Sequence, residues 1–223
     1  MTHKKQKPGN KQSLAKYKRG GGKLHTSEYV ITYDPIEHKD DVLPQSVRDR
    51  MKNHIHDMLR SNPTQAIKEL LVLKESYPNA PLIYNYLSVA YEAAGNDKAK
   101  RETIIENYHK NPDYLFAKVN YAQLCLIDGE AEKVPDIFGG YLDLKLLFPN
   151  RNCFHVTEFC GFNGVMCAYF AATGKLDTAK LLYKALVEVA PDSELTRFPL
   201  RFMYPSVPGR LEKLMTLLRL LKR

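Results

Sequence analysis

The sequence predicts an all-α protein, a short α-solenoid of about four helical hairpins between a basic N-terminal arm and a C-terminal capping helix. Three observations predict it. TGKLDTAKLLYKALVEVAPD, residues 173–192, places Leu176, Ala179, Tyr183, Leu186 and Ala190 at three- and four-residue steps, the spacing of one helix face. Glycine and proline recur at matched separations along the chain. Only one segment, SEYVITYDP, has the β-branched and aromatic character of a strand.

The arm comes first. Residues 1–25 carry Lys4, Lys5, Lys7, Lys11, Lys16, Lys18, Arg19 and Lys23 with no acid, a charge of +8. Residues 26–193 carry −5 and residues 194–223 carry +5, so a basic arm precedes a mildly acidic body. Gln, Gly, Asn and Ser between the lysines offer nothing to pack, so disorder is expected, and the eight cations are candidate phosphate contacts for a nucleic acid. Tyr17 is the one aromatic there, poor provision for stacking on bases. KRGGGK lacks the spacing and the Ser/Thr of a phosphate-binding loop. No apolar stretch follows the positive N-terminus and none reaches the ~20 residues of a membrane span, which predicts neither secretion nor insertion. Tyr29, Val30, Ile31, Thr32 and Tyr33 then favour an extended segment stopped by Pro35. With no second strong strand to pair with, it is expected to dock as a linker along the helices, with the protein's own groove or a partner's sheet as alternatives. The arm with this segment spans 1–43, the repeats 44–193, and a linker with the capping helix 194–223.

The repeats are read from punctuation. Pro78 and Pro112 are 34 residues apart, as are Gly95 and Gly129, while Gly95 to Pro112 and Gly174 to Pro191 are each 17. Ahead of the glycines stand Tyr84-x-x-Leu87-Ser88-x-x-Tyr91, Lys118-x-x-Tyr121-Ala122-x-x-Cys125 and Asn163-x-x-Met166-Cys167-x-x-Phe170. Each pairs a bulky residue with a small one that lets a neighbouring helix approach. Each glycine then supplies the tight turn between antiparallel helices. An earlier unit at 47–78 has Val47, Met51, Ile55 and Met58 or Leu59 as its first stripe, Asn62-Pro63 as cap and first residue, and Ala66, Leu70 and Pro78 beyond.

This pattern resembles the tetratricopeptide repeat family, over residues 45–192, with 163–191 the best match and 81–112 next. The resemblance implies a right-handed solenoid whose first helices line a concave wall that binds peptides or proteins. Carried to this chain, the wall residues are Asn85, Tyr86, Val89, Glu92, Phe116, Val119, Asn120 and Gln123. Their amides would bond an extended backbone and their apolar neighbours receive its side chains. The carboxylate clamp of some family members is missing: Asn120 matches, but Asn85 and Val89 stand at partner positions and the fourth unit offers Gly164, Val165 and Ala168. Gly129 to Gly174 is 45 residues rather than 34, with Gly139-Gly140 interrupting a helix and LDLKLLFPNRNCF extending the unit.

The C-terminal SVPGRLEKLMTLLRLLKR aligns Leu211, Leu214, Met215, Leu218 and Leu221, with Arg210, Lys213, Arg219 and Arg223 largely elsewhere. Such a helix suits the exposed end of a solenoid, the reading adopted, or an anionic membrane surface. Four cysteines without a signal segment predict free thiols and a cytoplasmic protein. Cys153, Cys160 and Cys167 with His155 lack the close pairs of a zinc site, and His54, His56 and Asp57 do not share one face. No catalytic set, metal or cofactor is predicted. The expected function is a non-enzymatic interaction module, with nucleic-acid or ribosome association through the arm as the alternative.

Overall fold

The computed structural model describes residues 29–36 and 42–205. The basic cluster Lys4 to Lys23 and the amphipathic stripe Leu211 to Leu221 lie outside the described residues. Within them the chain is mostly helical and carries one two-stranded sheet.

The first helical run is α1 (Gln45–Arg50), a π-helical turn (Met51–Ile55) and α2 (His56–Ser61). Its predicted stripe is real: Met51 and Ile55 are fully buried and Leu59 nearly so. The run stops at Asn62, whose side chain accepts the Gln65 N–H at 3.3 Å while Pro63 opens α3 (Pro63–Ser76). Pro63 has no N–H to satisfy at that position, so it costs the helix nothing. α3 buries Ala66, Leu70 and Leu73 against α4 (Pro81–Ala93).

α4 folds back on α5 (Asp97–Lys110), and α9 (Val156–Ala172) on α10 (Leu176–Val189). The intervening Gly95 and Gly174 have φ of 70° and 78°, a left-handed conformation that a Cβ would strain. α6 (Leu115–Ile127) also ends at such a glycine, Gly129 with φ 80°. No full second helix stands after Gly129. A 3-10 turn (Ala131–Lys133) and a short α7 (Val134–Ile137) run into Gly139 and Gly140, both at positive φ. A short α8 (Leu144–Leu147) then leads to the strand β2 (Cys153–His155). Asp143, 3% exposed, caps α8 by accepting the Lys145 and Leu146 N–H groups. The Lys145 ammonium gathers the carbonyls of Pro149 at 2.7 Å and Arg151 at 2.8 Å. The predicted insertion is therefore an ordered loop with its own caps.

Three expectations are corrected here. The strand β1 (Val30–Thr32) does have a partner: it pairs in parallel with β2, Val30 opposite Cys153, Ile31 opposite Phe154 and Thr32 opposite His155. On α10, Leu176 is 42% exposed and Tyr183 only partly buried, while Leu182 and Ala185 join Ala179 and Leu186 in the core. The position of α9 sets that arc, which is rotated round the helix from the one the spacing suggested. Finally, 194–203 is not a linker. It forms α11 (Glu194–Arg197) and α12 (Leu200–Met203), both packed on α9.

Two hydrophobic clusters result. One joins Leu43, Met51, Ile55 and Leu59 to α3 and α4; the other joins Ile31 to α6, α9, α10 and Met203. α9 is buried on nearly every side, thirteen of its seventeen residues being inaccessible, because α6, α10, α11, α12 and the sheet surround it. Its two inner glycines explain the close approach. A Cβ at Gly161 would lie 3.4 Å from Val119 of α6, and one at Gly164 would lie 2.8 Å from the Leu195 carbonyl of α11.

Candidate functional site

The expected wall residues lie on α4 and α6, and the structure divides them into three groups. Asn85 and Asn120 face each other. Asn85 Oδ1 accepts from Nδ2 of Asn120 and of Asn107, each at 3.2 Å, and Asn85 Nδ2 donates to the Tyr114 hydroxyl at 3.3 Å. Asn107, 2% exposed, accepts in turn from Asn111 at 2.9 Å. These amides bind α4, α5 and α6 to one another. The acceptor capacity of Asn85 is thus used inside the fold, which is a correction to its expected role as an open peptide-bonding group. Asn107, Asn111 and Tyr114 are the members of this network that sequence reading missed; their spacing carries no signal by itself.

Val119 forms the second group alone. At 1% exposed it packs on Gly161, so it belongs to the core between α6 and α9 and not to an accessible wall.

The remaining five stay accessible. Val89 is 43% exposed, and Tyr86, Phe116 and Gln123 are partly so. The Tyr86 ring stands 6.1 Å from that of His56, and burial pushes its hydroxyl pKa up. Phe116 lies 5.8 Å from Tyr114, centroid to centroid. Gln123 is partly buried, and its side chain makes no hydrogen bond among the described residues. Glu92 receives the Lys100 ammonium at 2.7 Å, a pair within the α4–α5 hairpin. Val89 and Gln123 are 34 residues apart, so this one accessible position recurs between α4 and α6, whereas Tyr86 corresponds to the internally bonded Asn120 and Glu92 to the buried Leu126. The repetition ends there. Gly164, Val165 and Ala168 of α9 are all buried.

A cleft lies where Tyr33 meets α9 and the end of α10. Its volume is about 370 Å³, and it is bounded by Tyr33, by Val156, Thr157 and Cys160 of α9, and by residues 189–193. Its lining is mostly apolar. Burial pushes the Cys160 thiol up to about 11, so at neutral pH it is a thiol and not a nucleophile.

The remaining candidate chemistry is dispersed. Cys153 is exposed on β2, whereas Cys160 and Cys167 are buried on α9, and Cys167 Sγ donates to the Ala179 carbonyl at 3.1 Å. His155 caps α9: its Nδ1 accepts the Thr157 N–H at 3.3 Å, and Glu158 returns to the His155 N–H at 2.9 Å. Arg151 holds that same Glu158 through two bonds of 2.9 and 2.7 Å and lies over the Phe154 ring. Among the described residues no group of three or more His, Cys, Asp or Glu is placed to hold a metal ion. Among them too, no helix is long and apolar enough to cross a membrane.

The chain matches no family model, no curated protein and no solved structure.

Proposed function

We propose that the hairpins stack as tetratricopeptide-type units into a short right-handed solenoid. In this reading the chain is a non-enzymatic, cytoplasmic interaction module that binds a peptide or protein segment along α4 and α6. The observation that supports it is the accessible set on these two helices, Tyr86 and Val89 on α4, Phe116 and Gln123 on α6, of which Val89 and Gln123 stand one 34-residue period apart. The apolar members would take side chains of the bound segment and the Gln123 amide its backbone. The Asn85–Asn120 bond fixes the distance between the two helices that carry the set.

Affinity capture with the full chain tests the reading. Val89→Asp combined with Gln123→Ala is expected to lower recovery of a defined partner at least tenfold, with an unchanged melting temperature. Unchanged recovery would overturn it.

A second reading has the charge division in its favour. The +8 arm beside a −5 body suits contact with phosphates, through Lys4 to Lys23, in a nucleic-acid or ribosome-associated protein. Recovery that is lost with nuclease, falls steeply with salt and needs residues 1–25 would support this one instead.

A further inference from the structure

Residues 29–33 sit on the last hairpin although their place in the sequence is ahead of the first. Their pairing with β2 runs parallel over three residues, and Val30 N–H also donates to the Asn152 carbonyl at 2.9 Å. Strand alternation sends Ile31 into the core at 5% exposed and leaves Val30 at 48%. The Tyr29 ring meets Phe154 edge-on at 5.1 Å and lies 6.3 Å from Phe159. Tyr33, 54% exposed, donates its hydroxyl to the Val189 carbonyl at 2.6 Å and thereby forms one wall of the cleft beside Cys160.

This is the layout of a bound peptide. A main-chain ladder gives the direction, an aliphatic anchor and a flanking ring give the affinity, and a second tyrosine closes the far end. The hold is also small, with one fully buried side chain in the segment. A covalent tether keeps such a segment in place by raising its local concentration without adding contacts.

We propose that β2, Phe154, Phe159 and the 189–193 turn form a strand-accepting site whose resident ligand is the chain's own residues 29–33. The same site takes in trans an extended peptide of that chemistry, running parallel to β2: an aromatic residue first, a β-branched aliphatic third, a tyrosine fifth. The site is separate from the wall on α4 and α6 and does not depend on it. While the resident segment is docked the site is closed to others.

The test uses the full chain and a labelled synthetic peptide, SEYVITYDPI. Ile31→Asp in the protein puts a charge where the anchor goes and weakens the resident segment. The peptide is expected to bind this variant at least tenfold more tightly than the unaltered chain, and a peptide carrying the same Asp to bind neither. Equal binding to both proteins, or none to either, would overturn the proposal.

Should Ile31→Asp fail to fold, Val30→Cys decides. Val30 and Cys153 are register partners, both exposed. Neighbouring strands ~4.8 Å apart fall within the ~4.4–6.8 Å between Cα atoms that a disulfide spans. Oxidation is expected to link residue 30 to Cys153, seen by mass spectrometry, and to lower peptide binding at least tenfold until reductant is added. A 30–153 link between two chains would equally support a site that accepts the strand in trans. No link at all, or full peptide binding by the linked chain, would overturn it.

Discussion

Nδ2 of Asn120 on α6 donates to Oδ1 of Asn85 on α4 at 3.2 Å, so two helices that belong to different hydrophobic clusters are linked directly through their amides. Where most of this chain joins helices by apolar contact, here four polar side chains converge on Asn85 or its immediate partners. Such a joint specifies one alignment, because a displaced helix leaves buried donors without acceptors.

Asn85→Ala is therefore expected to destabilise the fold by about 1–3 kcal/mol, since Nδ2 of the buried Asn107 keeps only the Pro81 carbonyl at 3.4 Å and the Asn120 bond is lost. Urea denaturation measures it. The double variant with Asn120→Ala is expected to lose less than the sum of the two single changes, since both remove the same bond. Strict additivity would show that the amides do not act together.

The two glycines on the inner faces of α9 are expected to respond differently to one methyl group. At Gly164 the new Cβ would meet a backbone carbonyl at 2.8 Å, which cannot rotate away, so Gly164→Ala is expected to cost about 1–3 kcal/mol and loosen α11. At Gly161 the contact is a Val119 methyl at 3.4 Å. There the helix propensity gained, up to ~1 kcal/mol, offsets the crowding and the change is near neutral. Thermal melts of the two variants separate the cases.

Glycines also show how far the sequence could be read. Gly95, Gly129 and Gly174 were legible because a tight turn demands a backbone conformation that few other residues accept. The Asn62-Pro63 start was legible because capping is local chemistry. β2 was not, since three residues, Cys-Phe-His, form a strand only because a segment from far along the chain lies beside them. Val119 shows the same limit on the candidate wall: its place on the helix was right, but the close approach of α9 buried it. Asn85 and Asn120 were expected on an open wall, but spacing along one helix cannot say that their partners are each other. Residues 194–203 lack a long periodic stripe, so their packing against α9 left no pattern to find.

Acid is expected to weaken the α3–α5 contact. Burial pushes the Glu106 carboxyl up, but hydrogen bonds from Lys74 and Lys110 outweigh it and hold the pKa below the ordinary 4.5. A carboxylate held low stabilises the fold fully above its unfolded pKa, and that contribution is lost as pH falls through the folded one. Glu106→Gln lacks the titrating group. The difference in urea midpoint between the unaltered chain and this variant is expected to be constant from pH 7 to about 5 and to shrink below that.

The thiols are expected to divide sharply. Burial pushes Cys125 up, Cys160 up to about 11 and Cys167 up to about 12, while Cys153 is exposed. Iodoacetamide at pH 8 is expected to modify Cys153 alone in the folded chain, and all four in denaturant. Rapid native labelling of Cys160 would mean that the cleft beside it opens.

The Tyr33–Val189 bond bridges 156 residues, and that span has a consequence for synthesis. At roughly 5–20 residues per second, Tyr33 is made about 8–30 s before its acceptor. The helical hairpins between them close on neighbours made moments earlier, so they can be complete while residues 29–33 still wait. The earliest of the described residues to be made thus wait while most of the chain is synthesised, and until Cys153–His155 emerge it is their own strand edge, not β2, that any suitable segment nearby can occupy.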